Sequence, residues 1–173
     1  MTTVLITGPM GGGKSEARRY IESLGWPAYD CDSRCKALYD SVPGLKERVE
    51  EAIGLPFSSI GAIFDNPRLK ARLEAVVYPE VAEDIRKWQS AQTAPAVFVE
   101  SATALGHPVF EGMFDRVLLV TAPPAVRAAR NPESLRRSRL QRFPRALVDR
   151  TIRNNGTVEA LHNKIDNYLK TLI

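Results

Sequence analysis

Cysteine is scarce in this chain: Cys31 and Cys35 are the only two, four residues apart, with no histidine nearby. Two thiols cannot furnish the ligand set of a structural zinc site or a disulfide framework, and they read as reduced thiols. No apolar run approaches the roughly 20 residues that span a bilayer, which excludes a membrane helix. The opening Met-Thr-Thr-Val-Leu-Ile-Thr-Gly lacks the basic start and small-residue cleavage site of a secretory leader, so the expected location is cytoplasmic. Internal repeats, low-complexity tracts and long linkers are also missing, which argues against an array or a chain of domains. What remains is 173 residues, 44% apolar and 25% charged, an ordinary composition for one soluble domain. Negative charge is in deficit: the formal net charge is +4 and the pI near 9.2, which favours an anionic partner.

The elements alternate in type. Thr3 to Thr7 is a short β-branched run, followed by glycines and then by Ala17, Tyr20, Ile21 and Leu24, spaced as one face of a helix stopped by Gly25. Trp26 to Tyr29 reads as a second strand. Leu45, Val49, Ala52 and Ile53 form another helical stripe, closed by Gly54. A long helix starts at Asp65 or Asn66 as N-cap with Pro67 at its first position, is expected to kink or restart at Pro79, and continues through Val81, Ile85 and Trp88. "PAVFVE" and "RVLLVTAPP" are compact apolar runs of the kind found in buried parallel strands. "RTIRNN" reads as a last strand. A terminal helix would turn Val158, Leu161, Ile165, Leu169 and Leu172 inward. Strands alternating with helices predict a doubly wound parallel α/β sheet.

"GPMGGGKSEARRY" carries the chemistry. Gly8-x-x-x-x-Gly13-Lys14-Ser15 fits the phosphate-binding P-loop pattern in full and sits between a strand and a helix, where the pattern must sit. Gly11, Gly12 and Gly13 let the backbone curl its N–H groups around phosphate oxygens, and the following helix adds its positive N-terminal end. Lys14 would reach the β- and γ-phosphates and the Ser15 hydroxyl would ligate Mg²⁺. The loop announces a nucleoside triphosphate without saying where the terminal phosphate goes. "NKID", Asn163 to Asp166, matches a guanine-reading motif of GTPases. Ile165, however, belongs to the buried stripe of the terminal helix, which makes its neighbours ordinary helix-surface positions, and the match a coincidence.

Two further features bear on the acceptor. In "YDCDSRCKALY", Asp30 and Asp32 lie two apart, so in a strand they face the same side, toward the ligand crevice of a parallel sheet. There a carboxylate can take the proton of an attacking hydroxyl; alternatively Asp32 is a helix N-cap. Between Arg127 and Arg153 lie seven more arginines against only Glu133 and Asp149. Such a strip binds nucleic acid or the phosphates of a small ligand. Base stacking would call for interleaved aromatics and only Phe143 is present, so a mobile lid over the phosphates is favoured.

The glycine loop followed by "WPAYDCD" resembles the N-terminal signature of dephospho-coenzyme A kinases. The similarity continues in order through "FDNPRLKARLEAVVYPEV", "VFVESA", "FDRVLLVTAPPAVRAAR" and "VDRTIRNNGTVEAL", over nearly the whole chain. The resemblance implies a single P-loop kinase domain over 1–173, a three-layer sandwich with a five-stranded parallel sheet and helices on both faces. A helical substrate-side insertion would cover 38–92 and a lid 127–148. It implies transfer of the ATP γ-phosphate, with Mg²⁺, to the 3′-hydroxyl of dephospho-coenzyme A, the final step of coenzyme A synthesis. Asp32 would be the general base and Lys14 would stabilise the transferring group. Arg137, with Arg139 as rival, would be the lid arginine. Met10 and Glu16 would join the glycines at ATP, with Asn154 and Gly156 against the adenine. Asp30, Tyr78 (where the family usually has His) and Glu100 would lie on the substrate side, although Glu100 also reads as a solvated strand end. The lid is several residues shorter than the family's. The alternatives are a nucleoside or nucleoside-monophosphate kinase, and an ATP-binding, RNA-associated protein with weak or lost transfer. Membrane and nucleic-acid partners are not expected, and the sequence does not speak to oligomeric state.

Overall fold

Strand β1 (Thr2–Thr7) is the centre of the molecule's one sheet, and the computed structural model describes residues 1–139 and 141–172 around it. The other strands are β2 (Ala28–Asp30), β3 (Ala96–Glu100), β4 (Arg116–Thr121) and β5 (Arg150–Arg153). All pairings are parallel, in the order β2-β3-β1-β4-β5. The chain therefore runs to one side of β1 through β3 and to the other through β4. That reversal creates a crevice at the carboxyl ends of the strands, where ligands bind in folds of this kind.

The sheet belongs to the first of two compact units, Met1–Asp30 together with the chain from Gln92 onward. On one face Val4, Ile6, Phe98, Leu118, Val120 and Ile152 meet α1 (Lys14–Ser23) and α7 (Val158–Leu169) through Ala17, Ile21, Leu161, Ile165 and Leu169. The alternate residues Leu5, Val97 and Val99 are also 0% exposed, so the sheet is covered on both faces, as continuous apolar strands require. Two helical stripes are narrower than their spacing suggests. Leu24 falls just past the end of α1 and is exposed, and Val158, at the first position of α7, is 54% exposed. Tyr168 takes a place in the core that the aliphatic pattern had not claimed. "NKID" lies wholly within α7, with Ile165 fully buried, which removes the guanine-reading alternative.

The second unit, Cys31–Ala91, is helical: α2 (Cys31–Ser41), α3 (Leu45–Ile53), a 3₁₀ segment over Phe57–Asp65, and α4 (Pro67–Ser90). It begins earlier than the 38–92 read from sequence. Asn66 caps α4 by accepting from the backbone N–H groups of Arg68 and Leu69, with Pro67 at the first position. Pro79 neither ends nor restarts that helix. It forfeits one backbone hydrogen bond, while Val77, Val81, Ala82 and Ile85 on either side hold the helix by burial. Ion pairs tie the helices of this unit together: Arg34 forks onto Asp84 at 2.9 and 2.7 Å, and Arg48 donates to Glu80 at 2.8 Å. Neither Cys31 nor Cys35 is in a disulfide among the described residues, and burial pushes the Cys35 thiol up, away from reactivity.

In the first unit, α5 (Pro124–Arg130) and α6 (Ser134–Ser138) lead to a 3₁₀ turn at Arg145–Leu147. Leu140, within the lid segment expected over 127–148, lies outside the described residues.

The Tyr168 hydroxyl is buried without a hydrogen-bond partner among the described residues, and burial pushes its ionisation up to about 12. An unpaired buried hydroxyl costs about 1–3 kcal/mol. Tyr168→Phe is therefore expected to raise the urea midpoint, or at worst leave it unchanged; a clear drop would show that the hydroxyl is bonded in solution.

Candidate active site

Because every strand runs the same way, the ends of all five deliver their following residues to one edge. β1 ends in the P-loop, β2 in Asp30, β3 in Glu100, and β5 runs directly into Asn154. Parallel pairing sets Asp30 beside Glu100 and Glu100 beside Ile6.

The P-loop glycines are required first by the protein. Gly8 has φ +145°, and a Cβ there would stand 2.0 Å from the Val120 carbonyl oxygen. Gly13 has φ +105°, and a Cβ there would stand 2.2 Å from Asn154 Nδ2. Any side chain at either position would drive the loop off the end of β4 or off the β5–α7 connection. Inside the loop the Pro9 carbonyl accepts from the Gly12 N–H at 3.0 Å and from Lys14 Nζ at 3.4 Å, so the ammonium is tethered to the loop's own turn. Met10 is half-buried and contributes its place in that turn.

Asn154 holds the loop from the far end of the chain. Its buried amide Nδ2 donates to the Gly12 carbonyl at 3.1 Å, 142 residues away. Arg130 closes the same junction, donating to the Gly11 carbonyl at 3.1 Å, to the Asn154 carbonyl at 3.2 Å and to Asn154 Oδ1 at 3.4 Å. The asparagine side chain is thus occupied with the P-loop, while Gly156 is exposed on the connection beyond it. Arg127 packs its backbone against Gly11 and donates through Nε to the Ala122 carbonyl at 3.1 Å; its Nη1 is buried without a partner among the described residues.

On the other flank, Ser15 Oγ donates to Glu100 Oε1 at 2.7 Å. Glu100 is 8% exposed, so it is a buried, engaged carboxylate and not a solvated strand end. Its second oxygen accepts from Arg18 Nε at 2.9 Å, and Arg18 reaches Asp30 at 3.5 Å. This set of hydroxyl and carboxylate oxygens suits a hard cation such as Mg²⁺. Among the described residues no cluster of three or more metal-ligating side chains occurs.

Glu16 faces away from this network, toward α7. The Arg19 guanidinium and then the His162 ring hold its carboxyl below the usual range. His162 Nε2 donates to Glu16 Oε1 at 3.0 Å and stacks on Tyr20 with centroids 3.7 Å apart. Glu16 therefore fastens the helix that follows the P-loop to the C-terminal helix.

The two aspartates read as strand neighbours are not. β2 stops at Asp30 and α2 begins at Cys31, so strand alternation does not relate them, and Asp32 is in the first turn of the second unit's helix instead of preceding it as a cap. Its carboxylate is exposed near the positive N-terminal end of that helix. Tyr78, also in the second unit, donates to Glu74 at 2.9 Å. Arg137 is exposed on α6 and Arg139 follows that helix, also exposed. Arg18 and Arg130 are the site residues that sequence reading passed over. Arg18 lies i+3 from Ser15, on the same helical face, which was a usable signal. For Arg130 no local signal distinguishes it from the other arginines of the strip.

Asn154→Ala removes the staple and strands the Gly12 carbonyl. Nucleoside triphosphate affinity, measured by calorimetry, should fall about 5- to 30-fold, the equivalent of one to two kcal/mol. An unchanged affinity would show that the loop holds its shape without Asn154.

No protein-family model matches the chain. Individual proteins do. A dephospho-CoA kinase of Thermus thermophilus is 33% identical over 184 residues, covering 96% of this chain and 90% of that protein. The dephospho-CoA kinase of Porphyromonas gingivalis is 33% identical over 139 residues, covering 75% and 68% of the two chains. A solved Thermus thermophilus protein superposes with a TM-score of 0.77 at 31% identity over 99% of this chain and 98% of its own. A shikimate kinase of Aquifex aeolicus, at 18% identity and a TM-score of 0.55 over 98% and 97% of the two chains, shares the fold alone. With a P-loop, an acid-ended third strand and an asparagine-bearing last connection placed at one sheet edge, and with relatives of this identity over this length, the chain belongs to the dephospho-CoA kinase family.

Proposed function

We propose that this chain transfers the γ-phosphate of ATP to the 3′-hydroxyl of dephospho-coenzyme A. The observation that carries the reading is the Ser15–Glu100 hydrogen bond beside the P-loop, in a member of this family. The Ser15 hydroxyl lies next in sequence to the Lys14 ammonium, which is tethered to the loop, and this supports a phosphate site there. In the reaction the 3′-oxygen bonds to the γ-phosphorus and the bond to the bridging oxygen of ADP breaks. The acceptor's proton passes to a carboxylate, for which we assign Asp32.

Lys14 follows the charge of the transferring group, and Arg137 or Arg139 supplies further positive charge from the lid segment. Asn154 and Gly156 form the nucleoside side, with Asn154 acting through the loop it holds. Asp30, Glu100 and Tyr78 belong to the acceptor side. Mg²⁺, when bound with the triphosphate, would neutralise charge on the β- and γ-phosphates. Ser15 would hold it through its hydroxyl oxygen, whose hydrogen goes to Glu100. No helix among the described residues is long and apolar enough to cross a membrane.

ADP formation is expected with dephospho-coenzyme A and not with a panel of nucleosides and nucleoside monophosphates. Turnover of a nucleotide in place of dephospho-coenzyme A would overturn the assignment. Asp32→Asn should lower kcat by about 10²–10⁴ while ATP affinity stays within a few-fold; retained activity would move the base to another residue.

A further inference from the structure

β2 and β3 set two acids side by side: Asp30 and Glu100 are register partners at the ends of adjacent parallel strands. Like charges on neighbouring strands repel, and Glu100 is nearly buried, where water shields it least. The side chain that answers this is Arg18. It is 14% exposed, donates through Nε to Glu100 at 2.9 Å, comes within 3.5 Å of Asp30 through Nη2, and is held from its outer side by Glu22 at 2.9 Å. One guanidinium thus spans both carboxylates, using the planar fork that lysine lacks. It leaves Glu100 Oε1 for the Ser15 hydroxyl.

We infer that Arg18 is a positioning residue for phosphoryl transfer. It clamps the Asp30–Glu100 pair so that Glu100 orients Ser15, and it cancels one of the two negative charges that would otherwise face the metal–triphosphate. The geometric clamp stands on the distances alone; its catalytic consequence rests on the reading proposed above. Without Arg18 the two carboxylates lose the guanidinium that bridges them. They would then collect a divalent cation by themselves, before any nucleotide arrives, and Ser15 would lose its fixed acceptor.

Arg18→Gln tests this in two independent ways. In nucleotide-free protein, Mn²⁺ followed by calorimetry should bind at least about tenfold more tightly to R18Q than to wild type, because ligand charge sets affinity at oxygen sites. Arg18→Lys, which keeps the charge, should stay within about threefold of wild type in Mn²⁺ affinity. In turnover, R18Q should lose about ten- to hundredfold in kcat with the KM for ATP little changed, as expected of a misplaced group and not of lost binding. Glu22→Gln, which removes only the exposed outer partner, should behave as wild type in both. Wild-type Mn²⁺ affinity in a folded R18Q overturns the clamp whatever substrate the enzyme uses, whereas absence of wild-type turnover with dephospho-coenzyme A counts only against the proposed function. If R18Q does not fold, R18K decides: kcat lowered about three- to tenfold by loss of the fork supports the proposal, and undiminished kcat overturns it.

Discussion

A hydrogen bond between residues 142 positions apart, from the Asn154 amide to the Gly12 carbonyl, joins the first loop of the chain to its last connection. Much of the site's geometry depends on it. A glycine loop is by composition the least ordered part of a chain, because each glycine gives up the most conformational freedom on folding. To present N–H groups to phosphate at fixed positions, the loop must be held from outside. The Val120 carbonyl closes the space beside Gly8, Asn154 occupies the space beside Gly13, and Arg130 ties Asn154 to Gly11. The loop is shaped by the ends of β4 and β5 before any ligand is considered.

The same edge of the sheet organises charge. Positive groups gather where β4 and β5 end, through Arg127 and Arg130, and negative groups where β2 and β3 end, through Asp30 and Glu100. The P-loop emerges from β1, between the two. A triphosphate lying along the loop would therefore have cations on its flank toward β4 and β5. A cation-binding, acceptor-facing flank would lie toward β2 and β3. Arg18 is the exception on the acidic flank, and its burial there is what marks it out. Ser15 bonds to Glu100 on the acidic flank, whereas Glu16, the next residue, turns to His162 and secures the helix against α7.

Periodicity, caps and motif spacing carry far in this molecule. The five strands, the Asn66–Pro67 helix start, the glycine stops at Gly25 and Gly54 and the P-loop were all legible, because each is settled by contacts within a few residues. The misreadings share a cause. Leu24 and Val158 satisfy the spacing of a buried stripe but sit at or beyond helix ends, and Pro79 is a local breaker overridden by the apolar residues packed around it. Asp30 and Asp32 satisfied the spacing of a strand whose end falls between them.

Residue order alone thus determined the chemistry available: a phosphate loop, acids one strand later, an arginine-rich segment and an Asn-Asn-Gly connection, in the sequence that marks this family. It also determined that the strands would be parallel, since each is separated from the next by enough chain for a crossover. Only the tertiary structure decided which of the twelve arginines outside the second unit hold the site and which face water, and that Glu100 is buried and bonded to Ser15. The physical reason is that a charge has no local signature of its partner. Arg18 and Arg19 are adjacent and chemically identical, and the turn of the helix alone sends one to a carboxylate pair that includes the buried Glu100 and the other to the half-buried Glu16.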